Sequence, residues 1–503
     1  MMAYVLLVIG LTFERTAFNG KIQFLLPQAA MLAIGAAGWI AIEGACEKLG
    51  SRKKTERTWV CDALFWAIVF VVQAGVSYFV YFMPPWDAGT VVENAFDIAA
   101  YPGLPVLDSD YFSHCPNNVI LTLLDAGIFK LFRAIVGDAG IERCVYALVV
   151  AQCAVSACTG LLTEHIAKKV SGEKATARIV RLGYVLMVSA SPWVSFPYSD
   201  GFALLFPILT LALYVHEQTA KHRALCWAAM GAAAGLGYFM KPQAVIMMIA
   251  IAGVETVHLM AGREWGNLLK RMGAMLAVLL VLVIPVRQAL IQASPFDIDP
   301  EADIGMLHYA MMGVNEESCG AISHEDKAAS YAIESKAERT QMQMETIKSR
   351  LHAMVENGTL LEHIRKKTLV NYADGTFAWD HLAYPQTDIE EKDSVISPFL
   401  RSIIRKDGSR RAVFATGAHC LWLGLLALCL LAPAACLSAK KRGQENRVVV
   451  MLLALIGITM FEMIFEARSR YLFIYVPVYL LAGMLGLRAA LDFIRTRRAK
   501  NKL

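Results

Sequence analysis

The stretch YFVYFMPPWDAGTVVENAF, residues 78–96, decides how the rest of the chain is read. An aromatic and apolar run stops at Pro84-Pro85, Trp86 follows, and a carboxylate, Asp87, comes next. Proline fixes φ and removes a backbone donor, so the pair ends a helix and makes a stiff corner. A carboxylate held at such a corner, at the mouth of an apolar run, needs a reason.

Composition gives the setting. The chain has 503 residues, 56% hydrophobic and 18% charged, against about 25% charged in an ordinary soluble domain. Its mean hydropathy is +0.47. One globular core cannot hide that much apolar surface, so an all-α polytopic membrane protein is expected. The net charge of +5 gathers in short clusters between apolar runs. That pattern orients a membrane protein and does not bind nucleic acid. None of the eleven cysteines forms a C-x-x-C pair. Cys153, Cys158, Cys429 and Cys436 sit in apolar runs as small hydrophobes. Cys115 and Cys319 fall in polar segments, where a disulfide between them is one option. No A-x-A cleavage site follows the apolar first dozen residues.

A span takes about 20 mostly apolar residues. Runs at 22–46, 59–83, 142–165, 180–197, 202–217, 222–240, 243–260, 270–292, 412–438, 447–466 and 471–490 qualify, with 1–13 a shortened twelfth candidate. The basic clusters at 51–57, 168–181, 217–223, 262–271, 438–447 and 495–503 are expected in the cytoplasm. These placements agree only if 117–136, which carries Asp125, Lys130 and Arg133, lies flat in the interface as an amphipathic helix. The chain then divides into a membrane module at 1–292 with an external loop at 84–141, an extracytoplasmic helical domain at 293–411, and further spans at 412–503. No internal repeat breaks this order.

Asp87 now lies at the outer mouth of a span. The same loop continues with LDSDYFSHCPNN, which carries Asp108, Asp110, His114, Asn117 and Asn118. Asp200, in SPWVSFPYSDGFALL, falls at the same level. Lys241 in FMKPQ, and Arg468 and Arg470 in FEARSRYLF, are cations at outer ends, against the positive-inside rule. Glu466 could pair with Arg470 at i,i+4. Alternatively the cations bind phosphate, Arg bidentately and Lys as a point charge. No G-x-x-x-x-G-K-[ST] or G-x-G-x-x-G nucleotide motif is present. Carboxylates, phosphate-binding cations and an external cap point to group transfer from a lipid phosphate carrier.

From residue 59 onward the chain resembles the GT-C superfamily of integral-membrane glycosyltransferases, among them protein O-mannosyltransferases and aminoarabinose transferases. PPWDAG puts Asp87 where that family has a catalytic aspartate after a span. SHCPNNVILTLL is similar to its juxtamembrane turn, although Cys115-Pro116-Asn117-Asn118 replaces a His-Pro-Pro-type sequence. PYSD and Lys241-Pro242 match a later aspartate and a Lys-Pro pair. HYAMMG, DGTFAWD and EARSRY look like segments of bacterial wall-polysaccharide members. The paired D-x-D after the first aspartate is missing, and DSD at 108–110 has that spacing later in the loop.

The resemblance implies a GT-C-like bundle of about 11–12 spans in the plasma membrane, with its active site on the extracytoplasmic face. It implies an inverting transferase that moves a monosaccharide from a polyprenyl phosphate to a glycan, lipid or protein acceptor. Asp87 is then the base. Asp200 positions the acceptor or a cation, and Asp110 is an alternative carboxylate. Lys241, Arg468 and Arg470 hold phosphate, with His114 and Asn117 as further contacts. No cofactor is fixed, and a divalent metal is left open. A lipid-sugar flippase, or a polymerase or ligase using a diphosphate carrier, is the alternative.

Overall fold

The computed structural model describes residues 6, 9, 10, 24–52, 59–101, 103, 108–217, 221–379, 394–405 and 407–500. Most of residues 1–13, the basic cluster from residue 53 and Asp380 of DGTFAWD lie outside them. The described residues are helical, with no strand among them.

Among the described residues, nine helices are long and apolar enough to cross a membrane: Gln28–Lys48, Trp59–Tyr78, Ile141–Ser171, Ser199–Glu217, Pro242–Ala261, Trp265–Gln292, Arg411–Cys429, Glu445–Ile464 and Ser469–Arg498. Each coincides with an expected span. The other two expected spans behave differently. Helix α1, Lys174–Tyr184, gives way to a wide π turn at Val185–Ser189 and a 3-10 turn at Pro192–Ser195. Proline at the start of that turn supplies no donor to carry an α-helix on. Helix α2, Arg223–Met240, is continuous but rich in small residues (MGAAAGLG at 230–237). Small residues let helix backbones approach closely. A methyl at Gly231 would run into the Met275 backbone, and one at Gly235 would come within 2.8 Å of Leu282.

The segment expected to lie flat forms helix α3, Val119–Val136. It buries one face, including Val119, Leu121, Asp125 and Phe129, and exposes Leu131, Ile135 and Val136 on the other. It packs on helix α4, Trp86–Ala100.

Residues 293–379 fold over one end of the bundle as helices α5 (Gly305–Gly313), α6 (His324–Tyr331), α7 (Lys336–Glu356) and α8 (Leu360–Tyr372). Ser323 and Ser335 cap α6 and α7 by accepting the amides of Asp326 and Glu338. Arg350 grips Asp326 bidentately at 2.7 and 2.9 Å, a planar fork on a carboxylate. This domain is pinned to the loop after residue 84. Phe112 stacks on Phe296 at 3.9 Å, Asp299 N donates to Ser113 Oγ at 2.9 Å, and the His114 ring stacks on Tyr331 at 4.1 Å. Cys115 and Cys319 are free thiols, and Cys115 Sγ lies 3.9 Å from Tyr331 OH.

Residues 374–379 form a tight fastening. Asp374 accepts from Thr376 N at 2.8 Å and Ala378 N at 2.7 Å. Phe377 and Ala378 take φ of 57° and 62°, a left-handed backbone that side chains resist. Gly375 lies so near Arg411–Cys429 that a methyl there would meet Ala418 O and His419 Cα at 2.6 Å. Trp193 Nε1 donates to Phe377 O at 3.0 Å, which ties the broken segment to the same point.

Ion networks occupy the opposite end. Arg181 pairs with Asp62 and Glu164, Arg488 with Glu43 at 2.6 Å, and Arg271 with Glu255 at 2.7 Å. Replacing a buried pair by packed apolar side chains is often neutral, whereas removing one partner is strongly destabilising.

Candidate functional site

The double proline sets the site's first residue. Pro85 precedes the first turn of α4 in an extended conformation, and Asp87 sits in that turn. A carboxylate at a helix N-terminus is favoured by the exposed amides and the dipole. Trp86 takes φ 49°, so the corner bends through a left-handed residue. Gly89 makes the bend possible, because a methyl there would meet Pro84 O at 2.5 Å. The Asp87 side chain is exposed.

Asp200, Lys241 and Arg470 converge although they lie far apart in the chain. Lys241 Nζ contacts Asp200 Oδ1, and Arg470 Nε stands 3.3 Å from Asp200 Oδ2. All three are buried. Each is placed by a break between helices: Asp200 in the first turn after Tyr198, Lys241 where α2 stops before Pro242, and Arg470 in the 3-10 segment Ser469–Tyr475. The Arg470 guanidinium is enclosed by rings, with Cζ 5.2 Å from the Trp86 ring centre, 5.5 Å from Tyr471, 5.6 Å from Tyr198 and 5.8 Å from Trp193. Lys241 Nζ lies 4.3 Å from the Tyr471 ring centre. Aromatic faces stabilise a cation without occupying its N–H donors. Arg470 Nε and Nη1 are buried and have no hydrogen-bond partner among the described residues. Buried donors of a charged group normally have one.

Arg468 binds Glu466 at 3.4 Å, and Tyr471 OH donates to Glu466 Oε2 at 3.1 Å. The expected i,i+4 pairing of Glu466 with Arg470 does not form, because residues 469–475 are 3-10 and not α. Spacing of four then no longer puts two side chains on one face.

The charge of Asp87 reaches a group of phenols and a thiol. Burial foremost, with Asp87 adding to it, pushes Cys115 up to about 12 and raises Tyr111, Tyr198, Tyr309 and Tyr331. Tyr309 also feels Tyr471 and Glu466. His114 takes part only through its stack on Tyr331. Asp110 points to solvent, 87% exposed, 3.6 Å from His114 Nδ1. Asn117 is exposed and donates to Asn118 Oδ1 at 3.1 Å. Asp110 and Asn117 therefore stand apart from the Asp200 cluster. Among the described residues, no group of three or more His, Cys, Asp or Glu could hold a metal ion.

Sequence reading missed Trp193, Tyr198, Tyr309, Tyr471 and Glu466 as site residues. For Tyr198, Glu466 and Tyr471, their place beside the charged residues of PYSD and EARSRY was the available signal.

A polytopic helical membrane protein with buried cations beside an exposed carboxylate is the class defined here. The chain belongs to the family described as "conserved hypothetical integral membrane protein", whose model matches residues 15–491. No curated protein matches it. Among solved structures it is similar to ArnT from Cupriavidus metallidurans bound to undecaprenyl phosphate, with 15% identity over 84% of this chain and 78% of that chain, and a TM-score of 0.33.

Proposed function

We propose that this protein is an inverting glycosyltransferase that takes a monosaccharide from a polyprenyl-phosphate carrier at the extracytoplasmic face of the plasma membrane. The observation that carries the reading is Arg470: a buried guanidinium, ringed by aromatics, ion-paired through Nε with Asp200, and with Nη1 lacking a hydrogen-bond partner among the described residues. A phosphate oxygen suits that donor in charge and hydrogen-bonding sense. Lys241 adds a point charge, and Asp200 holds both cations in place.

Asp87 acts as general base. It lifts the proton from an acceptor hydroxyl, whose oxygen attacks the anomeric carbon. The carbon–oxygen bond to phosphate breaks, and its electrons stay on the phosphate oxygen. Lys241 and Arg470 stabilise the charge that develops there, with Arg468 close by. Attack from the face opposite the leaving group inverts the anomeric centre. The acceptor is a cell-envelope glycan, lipid or protein.

The test is sugar transfer by purified protein from a defined polyprenyl-phosphate sugar, with release of polyprenyl phosphate followed alongside. Movement of intact lipid-linked sugar across a vesicle membrane without transfer would instead identify a flippase. Turnover only with a diphosphate carrier would identify a polymerase or ligase.

A further inference from the structure

Helix α9, Ile396–Ile404, follows the cap and is turned the wrong way for water. Its fully covered side chains are polar: Ser397 and Arg401 are buried, four residues apart on one face. Its exposed ones are apolar: Val395 just ahead of it at 89% exposure, Ile396 at 46% and Phe399 at 51%. Steps of three and four put those three on a single face. A helix packed on a protein in water points its apolar stripe at the core and its polar face outward. This one does the reverse.

The surroundings of α9 say what meets that face. Ser397 Oγ donates to Phe79 O at 2.7 Å, one residue beyond the span Trp59–Tyr78. After α9 the chain turns back into the span Arg411–Cys429. The return is tight: Arg410 N donates to Ser402 O at 2.9 Å, and a methyl at Gly408 would run into the same carbonyl. Helix α9 therefore lies level with the cap-side ends of two spans. Both expose apolar side chains there, Val76 and Tyr78 on the first and Val413 on the second, and α9 extends that surface. Arg410 marks its rim. It is exposed, its Cζ lies 5.1 Å from the Phe399 ring centre, and its Nη1 donates to Ser402 Oγ at 3.0 Å. An arginine laid over an apolar face with its charge at the border suits the depth where acyl chains meet phosphates.

We propose that α9 is an interfacial helix: Val395, Ile396 and Phe399 enter the acyl region of the phospholipid leaflet at the cap's end, and Arg410 meets the phosphates of that leaflet. Helices of this kind sink their apolar face about 5–10 Å into the boundary. The end of the domain at 293–411 then lies in the membrane and not clear of it. Trp379 gives the docking a consequence. Its Nε1 donates to Ile404 O at 2.8 Å, its ring packs edge-on against Trp193 with centres 5.3 Å apart, and Trp193 belongs to the wall around Arg470. The lipid surface is thereby held at a set height beside the Asp200–Lys241–Arg470 cluster.

The experiment places the full-length protein in phosphatidylcholine–phosphatidylglycerol vesicles and labels it with a carbene precursor dissolved in the acyl phase. The tryptic fragment 393–401 of the parent should carry label. An unlabelled fragment overturns the proposal, and that result needs no variant to fold. Spin labels at single cysteines in a Cys-less background then read depth. Labels at Ile396→Cys and Phe399→Cys should meet dissolved oxygen several-fold more readily than a water-borne nickel chelate. Glu345→Cys, on α7 of the cap, should show the reverse. A Phe399→Cys label that meets the chelate as Glu345→Cys does would put the face in water. A label closed to both reagents would put it under protein, either a second copy or another segment of this chain. Each of those two results overturns the proposal.

Discussion

Arg470 Nε stands 3.3 Å from Asp200 Oδ2, which joins the segment after Glu445–Ile464 to the start of Ser199–Glu217 inside a wall of four aromatic rings. The arrangement has an unused side. Asp200 holds the guanidinium from one direction, while Nη1 remains without a partner among the described residues. A purely structural ion pair would gain by filling that donor. A binding site gains by leaving it open.

Arg470→Ala should therefore weaken binding of a long-chain alkyl phosphate. Loss of a charge-assisted contact costs about 1.5–3 kcal/mol, or roughly 10- to 150-fold. Arg470→Lys should recover only part, because an ammonium lacks the planar fork. Binding by isothermal titration in detergent checks both, and parental affinity in the alanine variant would make Arg470 structural.

Asp87→Asn removes the base and keeps the shape of the corner. Turnover should fall by about 10²–10⁴-fold, the usual share of general-base catalysis. Phosphate binding should hold, since the proposed phosphate contacts are Lys241 and Arg470 and not Asp87. Thermal stability should hold as well, because the side chain is exposed. Near-parental turnover in this variant, with Asp110→Asn or Asp200→Asn inactive, would move the base to another carboxylate.

His308 gives the cap a pH signature. Burial pushes its imidazole down to about 4, with Asp326 opposing, and its Nδ1 lies 2.9 Å from Ser330 Oγ. The unfolded imidazole takes up its proton near pH 6.5, and the folded one resists until about 4. The unfolded state therefore binds more protons in that window, and stability falls as pH falls through it. The loss should reach about 3 kcal/mol at most by pH 4. Thermal melts at pH 7 and pH 5 should differ less in His308→Asn than in the parent. An unchanged difference would assign the acid sensitivity to other groups.

Sidedness can be read with single cysteines in a Cys-less background. Lys174 and Glu345 are both exposed, at opposite ends of the bundle. A membrane-impermeant maleimide should label Glu345→Cys in intact cells and leave Lys174→Cys unlabelled until lysis. The reverse pattern would place the cap in the cytoplasm.

The spans were legible because lipid solvates only long apolar helices, and composition alone reports that. The break at 180–197 was not, since Pro192 marks a helix boundary only when something else receives the freed backbone groups. Here Gln152 Nε2 does so, donating to the carbonyls of Trp193, Val194 and Phe196 at 2.8, 3.0 and 2.9 Å. Asp200, Lys241 and Arg470 were legible as charges out of place. Tyr198, Trp193 and Tyr471 were not, because an aromatic ring in a membrane helix looks alike in sequence whether it faces lipid or a guanidinium. The alternative that paired Glu466 with Arg470 fails, and Glu466 meets Arg468 instead, since spacing of four has meaning only where the backbone is α.

Arg470 belongs to the last span of the chain, while Asp200 and Lys241 belong to the middle. During synthesis the middle helices are made first. Asp200 and Lys241 then wait as a lone pair in an incomplete bundle, without the guanidinium or the Tyr471 ring. A chain that ends before Glu445 leaves that pair without its third partner.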